Sequence, residues 1–87
     1  MFKILIAEDE EPIANLIRIN LTRAGYLCRW APDGKQAADL IENEKFDLAL
    51  LDIMLPEITG YELMDYAKAC ELPVIFLTAL GSTEHKV

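Results

Sequence analysis

The sequence predicts an α/β domain built on a parallel sheet with helices on both faces. Three observations predict it. Short apolar runs alternate with segments of helical period. The helical segments run to ten or so residues, the length of a crossover between parallel strands. The third and fourth apolar runs are nearly continuous, as in strands covered on both sides.

Taken in order, Phe2 to Ala7 (FKILIA) is the first strand. In the following EDEEPIANLIRINLTRAG, residues Ile13, Leu16, Ile17, Leu21 and Ala24 recur at spacings of three and four, Pro12 suits a first helical turn and Gly25 suits a stop. That is an amphipathic helix. Tyr26 to Ala31 is a second, less apolar strand, Pro32 and Asp33 turn the chain, and Ala37, Ala38, Leu40 and Ile41 mark a second helix. Phe46 to Leu51 is the third strand. After a loop through Pro56 and Gly60, Leu63, Met64, Ala67 and Cys70 line a third helix, Pro73 to Leu77 is a fourth strand, and a further helix starts near Ser82.

The totals narrow the function classes. At 87 residues the chain forms one small domain with a modest core. Hydrophobic residues make up 53% and charged ones 26%, a globular composition without low-complexity tracts. Eight basic against fifteen acidic side chains leave a net charge of −7, which disfavours nucleic acid and anionic membrane surfaces and favours cations and basic partners. The N-terminal MFKILIAEDE lacks the pattern of a signal peptide, so a cytoplasmic location is expected. Cys28 and Cys70 stand singly in apolar surroundings, and the only histidine is His85; reduced filler thiols are expected over a disulfide or a zinc site.

In a parallel sheet of this kind, chemistry collects at the carboxyl ends of the strands, near the point where strand order reverses. Strand one runs into Glu8 and Asp9, strand three into Asp52, and strand four into Thr78. Each has a plain structural explanation. The run Glu8 to Glu11 suits the positive end of a helix dipole, Asp52 suits a turn cap, and Thr78 is an ordinary strand end. Together they ask for more, because converging carboxylates repel unless a cation sits among them or one is protonated. Hard oxygen donors suit Mg²⁺, which keeps open positions for a phosphoryl oxygen. A carboxylate beside such an ion can attack phosphorus, and Asp52 is the best-placed candidate.

Three pieces, ILIAEDE, LLDIMLPEITG and PVIFLTA, in this order and spacing, resemble the receiver domain of bacterial two-component response regulators, which has a flavodoxin-like (CheY-like) doubly wound fold. The resemblance runs from Met1 to the end of the chain. It implies that Asp52 is the phosphoacceptor for a sensor histidine kinase and that Glu8, Asp9, Asp52 and the backbone carbonyl of Met54 hold Mg²⁺. It also implies that Thr78 hydrogen-bonds a phosphoryl oxygen and that Ala79 leaves room for the group. Glutamate in the first acidic position resembles the OmpR-type subfamily, whose receivers precede winged-helix DNA-binding domains. No DNA binding by this chain is carried over from that resemblance.

Set against the family pattern, residues 1–87 are expected to supply β1-α1-β2-α2-β3-α3-β4, the N-terminal portion of a receiver, without the fifth strand and helix. The family's strand-five lysine has no counterpart, since Lys86 stands only eight residues after Thr78. The fourth strand should then present an open edge, an invitation to self-association. Two other functions compete. A truncated receiver could serve only as an assembly or interaction unit. An aspartyl-phosphate phosphatase is less favoured, since it usually carries a further acid where Met54 stands.

Overall fold

The computed structural model describes residues 1–53, 55, 58 and 60–77. The elements follow in the expected order: β1 (Lys3–Ala7), α1 (Glu11–Arg23), β2 (Leu27–Ala31), α2 (Gly34–Asn43), β3 (Leu48–Asp52), α3 (Gly60–Ala69) and β4 (Val74–Leu77). The four strands pair in parallel in the order β2-β1-β3-β4. The chain moves outward from β1 to β2 and then returns to β1's other side for β3. Strand order therefore reverses between β1 and β3, the position expected for a site. The further helix expected near Ser82 lies outside the described residues.

Alternation along each strand divides the core into two layers. Leu5 and Ala7 of β1, Ala31 of β2, and Ala49 and Leu51 of β3 pack toward α2 and α3, with Ala37, Ala38, Ile41, Leu63 and Ala67. Ile4 and Ile6 pack the other way against Ala14 of α1, together with partly buried Ile17, Leu21, Cys28, Trp30, Leu48 and Leu50. The sheet is covered on both faces, as the apolar runs require.

The packed face of α1 differs in one respect from the spacing read in the sequence. Ala14, Ile17 and Leu21 meet the sheet, while Leu16 is 63% exposed. Leu16 lies at the margin of the stripe that Ala14, Ile17 and Leu21 define, and so faces water. The strands also begin later than their apolar runs: Phe2, Tyr26, Phe46 and Pro73 all precede the paired residues. Phe2 and Tyr26 meet edge to face, with ring centroids 5.4 Å apart.

Helix α2 starts at a cap. Asp33 is extended and its Oδ1 accepts the Gln36 N–H at 2.8 Å. At the amino ends of the strands, Lys3 Nζ donates to Glu44 Oε1 at 2.6 Å and lies 4.9 Å from the Phe46 ring centroid. Arg29 reaches the same Glu44 at 3.3 Å, so two cations near this end are engaged away from the carboxyl edge. Both cysteines are free. Among the described residues, no helix is long and apolar enough to cross a membrane.

Candidate functional site

The register sets the site. Ala7 of β1 pairs with Leu51 of β3, so the next residues on the two strands, Glu8 and Asp52, arrive side by side at the carboxyl edge. Asp52 in turn pairs with Leu77, the last residue of β4. Thr78 therefore follows directly in the chain, but Thr78, Ala79 and Met54 lie outside the described residues.

Glu8 is the buried charged residue of this edge, with 4% exposure. Its backbone N–H donates to the Ala31 carbonyl at 3.1 Å, and its carbonyl accepts the Trp30 indole N–H at 2.7 Å. Its carboxylate Oε2 accepts the Glu10 N–H at 3.0 Å. Burial is the largest influence on its acidity and pushes the carboxyl up to about 7, partly offset by the Glu10 N–H and reinforced by the charges of Asp52 and Asp9. The charges acting on Glu8 are thus all negative, and Asp52 is near enough to be one of them.

One oxygen each from Glu8, Asp9 and Glu10 can lie within 4.8 Å of one another. This trio unites two of the expected ligands, Glu8 and Asp9, and adds Glu10. Residue types alone assign Glu10 only to the helix dipole; the signal for it is its place in the acidic run, and its position emerges from the turn that its own N–H makes with Glu8. The donor set fits a hard divalent cation, because carboxylate oxygens that repel one another and raise the affinity of Glu8 for a proton are relieved by Mg²⁺ as well as by H⁺.

The acids gather at the topological switch of a doubly wound α/β sheet, and sequence comparison gives the domain a family. The chain belongs to the response regulator receiver domain family, which it matches over residues 4–87. Across 86 residues it is 45% identical to the uncharacterized transcriptional regulatory protein YrkP of Bacillus subtilis (strain 168), a match covering 98% of this chain and 37% of that protein. The chain thus spans little more than a third of that relative's length.

Solved structures agree. The receiver domain of Francisella response regulator 1452 superposes with a TM-score of 0.86 at 35% identity, covering 99% of this chain and 73% of that one. A CheY-like receiver domain protein of Methanospirillum hungatei JF-1 gives 0.87 at 34%, covering 97% and 69%. The Thermotoga maritima response regulator TrrA, solved in complex with Mg²⁺ and BeF, gives 0.85 at 30%, covering 100% and 77%.

Proposed function

We propose that residues 1–87 are the N-terminal portion of a cytoplasmic phosphorelay receiver, in which Asp52 accepts a phosphoryl group from the phosphohistidine of a sensor histidine kinase. The observation that carries this reading is the pairing of Ala7 with Leu51, which delivers Glu8 and Asp52 to one edge. An Asp52 carboxylate oxygen forms the new bond to phosphorus as the P–N bond to the kinase imidazole breaks, and the imidazole leaves with that electron pair. Glu8, Asp9, Asp52 and the Met54 carbonyl would hold Mg²⁺, with Glu10 close by. The ion, when bound, offsets the negative charge that develops on the phosphoryl oxygens. By the family resemblance, Thr78 would donate to one of those oxygens and Ala79 would leave space beside them.

The chain is a substrate of phosphotransfer, with slow self-hydrolysis, more than an enzyme acting on external phosphate esters: the position two residues after Asp52 is Met54, which has no proton to give a leaving group. Intact-mass measurement after incubation with Mg²⁺ and a small acyl phosphate tests this. We expect one phosphoryl group per chain and none on Asp52→Asn. An unmodified wild-type chain overturns the reading, and sustained turnover of a phosphate ester would favour a phosphatase.

The net charge of −7 supports a receiver that does not itself contact nucleic acid. A role in assembly is favoured by β4, which pairs only with β3 among the described residues and holds Ile75 53% exposed. We expect self-association at this strand, read by light scattering; a monodisperse monomer at micromolar concentration refutes it.

A further inference from the structure

The backbone of Glu8 is held by β2 in two different ways. Its N–H bonds to Ala31, which continues the β1–β2 ladder by one step. Its carbonyl takes a side-chain donor instead, the indole Nε1 of Trp30 at 2.7 Å, from a residue 22 positions further along. The carbonyl of Glu8 and the N–H of Asp9 belong to one rigid peptide plane, which also contains both Cα atoms. A bond that pins this carbonyl sets the orientation of the plane against β2, and with the Glu8 N–H also held by Ala31 it restricts rotation about the Glu8 Cα–C bond, one of the two backbone torsions between the side chains of Glu8 and Asp9.

We infer that Trp30 is a positioning residue for the acidic site: its indole N–H locks the Glu8–Asp9 peptide plane so that both carboxylates face a shared cation. This rests on the proposed Mg²⁺ site and adds to it a residue from β2, a strand that contributes no ligand. The indole body lies in the α1-side layer beside Ile4, Ile6 and Ala14. A packing role alone would need the ring and not the N–H, so the two are separable. Groups of this kind, bonded to a ligand and not to the metal, commonly shift metal affinity by about 10-fold or more. As the only tryptophan in the chain, Trp30 also gives an unambiguous signal.

The test uses the full chain in three forms: wild type, Trp30→Phe, and a chain carrying 3-benzothienylalanine at position 30, whose sulfur replaces the indole N–H at nearly constant shape. Calorimetric titration with Mg²⁺ at a temperature where every form is fully folded should show the isosteric chain weakened about 10-fold, with a melting temperature lowered only by the loss of one hydrogen bond, and Trp30→Phe weakened at least as much. In wild type, the indole ¹H–¹⁵N resonance should move saturably with the calorimetric dissociation constant. If wild type binds Mg²⁺ but the isosteric chain binds equally well, or the indole resonance stays still through saturation, Trp30 is packing only and the inference is overturned. If wild type shows no saturable binding, the functional reading fails and takes the inference with it. Should Trp30→Phe fail to fold, the isosteric chain decides between the two roles by itself.

Discussion

Glu8 carries the sharpest residue-scale consequence. Its carboxyl sits near 7 in the fold against an ordinary value of 4.5, mainly because burial disfavours the charged form. The unfolded chain therefore gives up this proton more readily than the native one. Stability from protonated Glu8 is fully present below pH 4.5, is lost as pH rises toward 7, and changes no further above that. We expect the melting temperature of the metal-free chain to decline between about pH 5 and 7.5, by the equivalent of a few kcal/mol at most (about 1.4 per pKa unit). Glu8→Gln should flatten that decline, and added Mg²⁺ should raise the wild-type melting temperature more at about pH 8 than at about pH 5. A wild-type profile that stays flat would contradict this account. Glu44 does not confuse the window: its hydrogen bond and ion pair with Lys3 hold its carboxyl below the usual 4.5, so its contribution is present above that value and is lost only in more acidic solution. At this scale the sequence marked Glu8, Asp9 and Asp52 as acids at the ends of apolar runs, and the register brings Glu8 and Asp52 to one edge. It was silent about Trp30, because a bond between residues 22 apart depends on the β1–β2 register and leaves no local pattern.

The order of elements was readable because β1, β3 and β4 are largely apolar, β2 less so, and the helices carry their own punctuation, such as Pro12 and Gly25 around α1 and Asp33 before α2. Close approaches between elements are another matter. Gly34, the first residue of α2, is buried, and a Cβ built there would lie 2.6 Å from the carbonyl carbon of Ile58 and nearer still to its oxygen. Ile58 belongs to the connection that leads from Asp52 to α3, so a glycine in one helix makes room for the chain that follows Asp52. Nothing local to residues 34–43 distinguishes this glycine from a helix-start glycine chosen for ease of turning. The distinction has a measurable sign. Glycine to alanine inside a helix ordinarily stabilises by about 0.5–1 kcal/mol. Gly34→Ala should instead destabilise by about 1–3 kcal/mol, the usual cost of forcing volume into a packed site, as read by urea denaturation. A gain in stability would show that the Ile58 backbone yields freely.

Acidic side chains are spread along the chain, but three gather at the end of β1, and that separates two accounts of cation affinity. One attributes it to the general field of a chain with a net charge of −7; the other, to the oxygens at the carboxyl edge. Screening can tell them apart. At physiological ionic strength the Debye length is about 8 Å, while a strand advances about 3.3 Å per residue. Glu71 precedes β4, which advances about 10 Å from Val74 to Leu77, the partner of Asp52, so Glu71 stands more than a Debye length from the edge. Glu10 can place an oxygen within 4.8 Å of those of Glu8 and Asp9. Titration with Mg²⁺ in about 0.15 M salt should therefore show Glu10→Gln weakened several-fold and Glu71→Gln unchanged within about twofold, although each substitution removes one negative charge. In dilute buffer the two variants should draw closer together, because the Debye length at about 0.01 M grows to about 30 Å and admits the distant charge. Equal losses at physiological salt would assign the affinity to bulk charge and leave the acidic edge without a special role. A loss confined to Glu10→Gln would mean that an exposed acid, ordinary as a helix-start residue, takes part in holding the ion because the end of β1 turns it back toward Glu8.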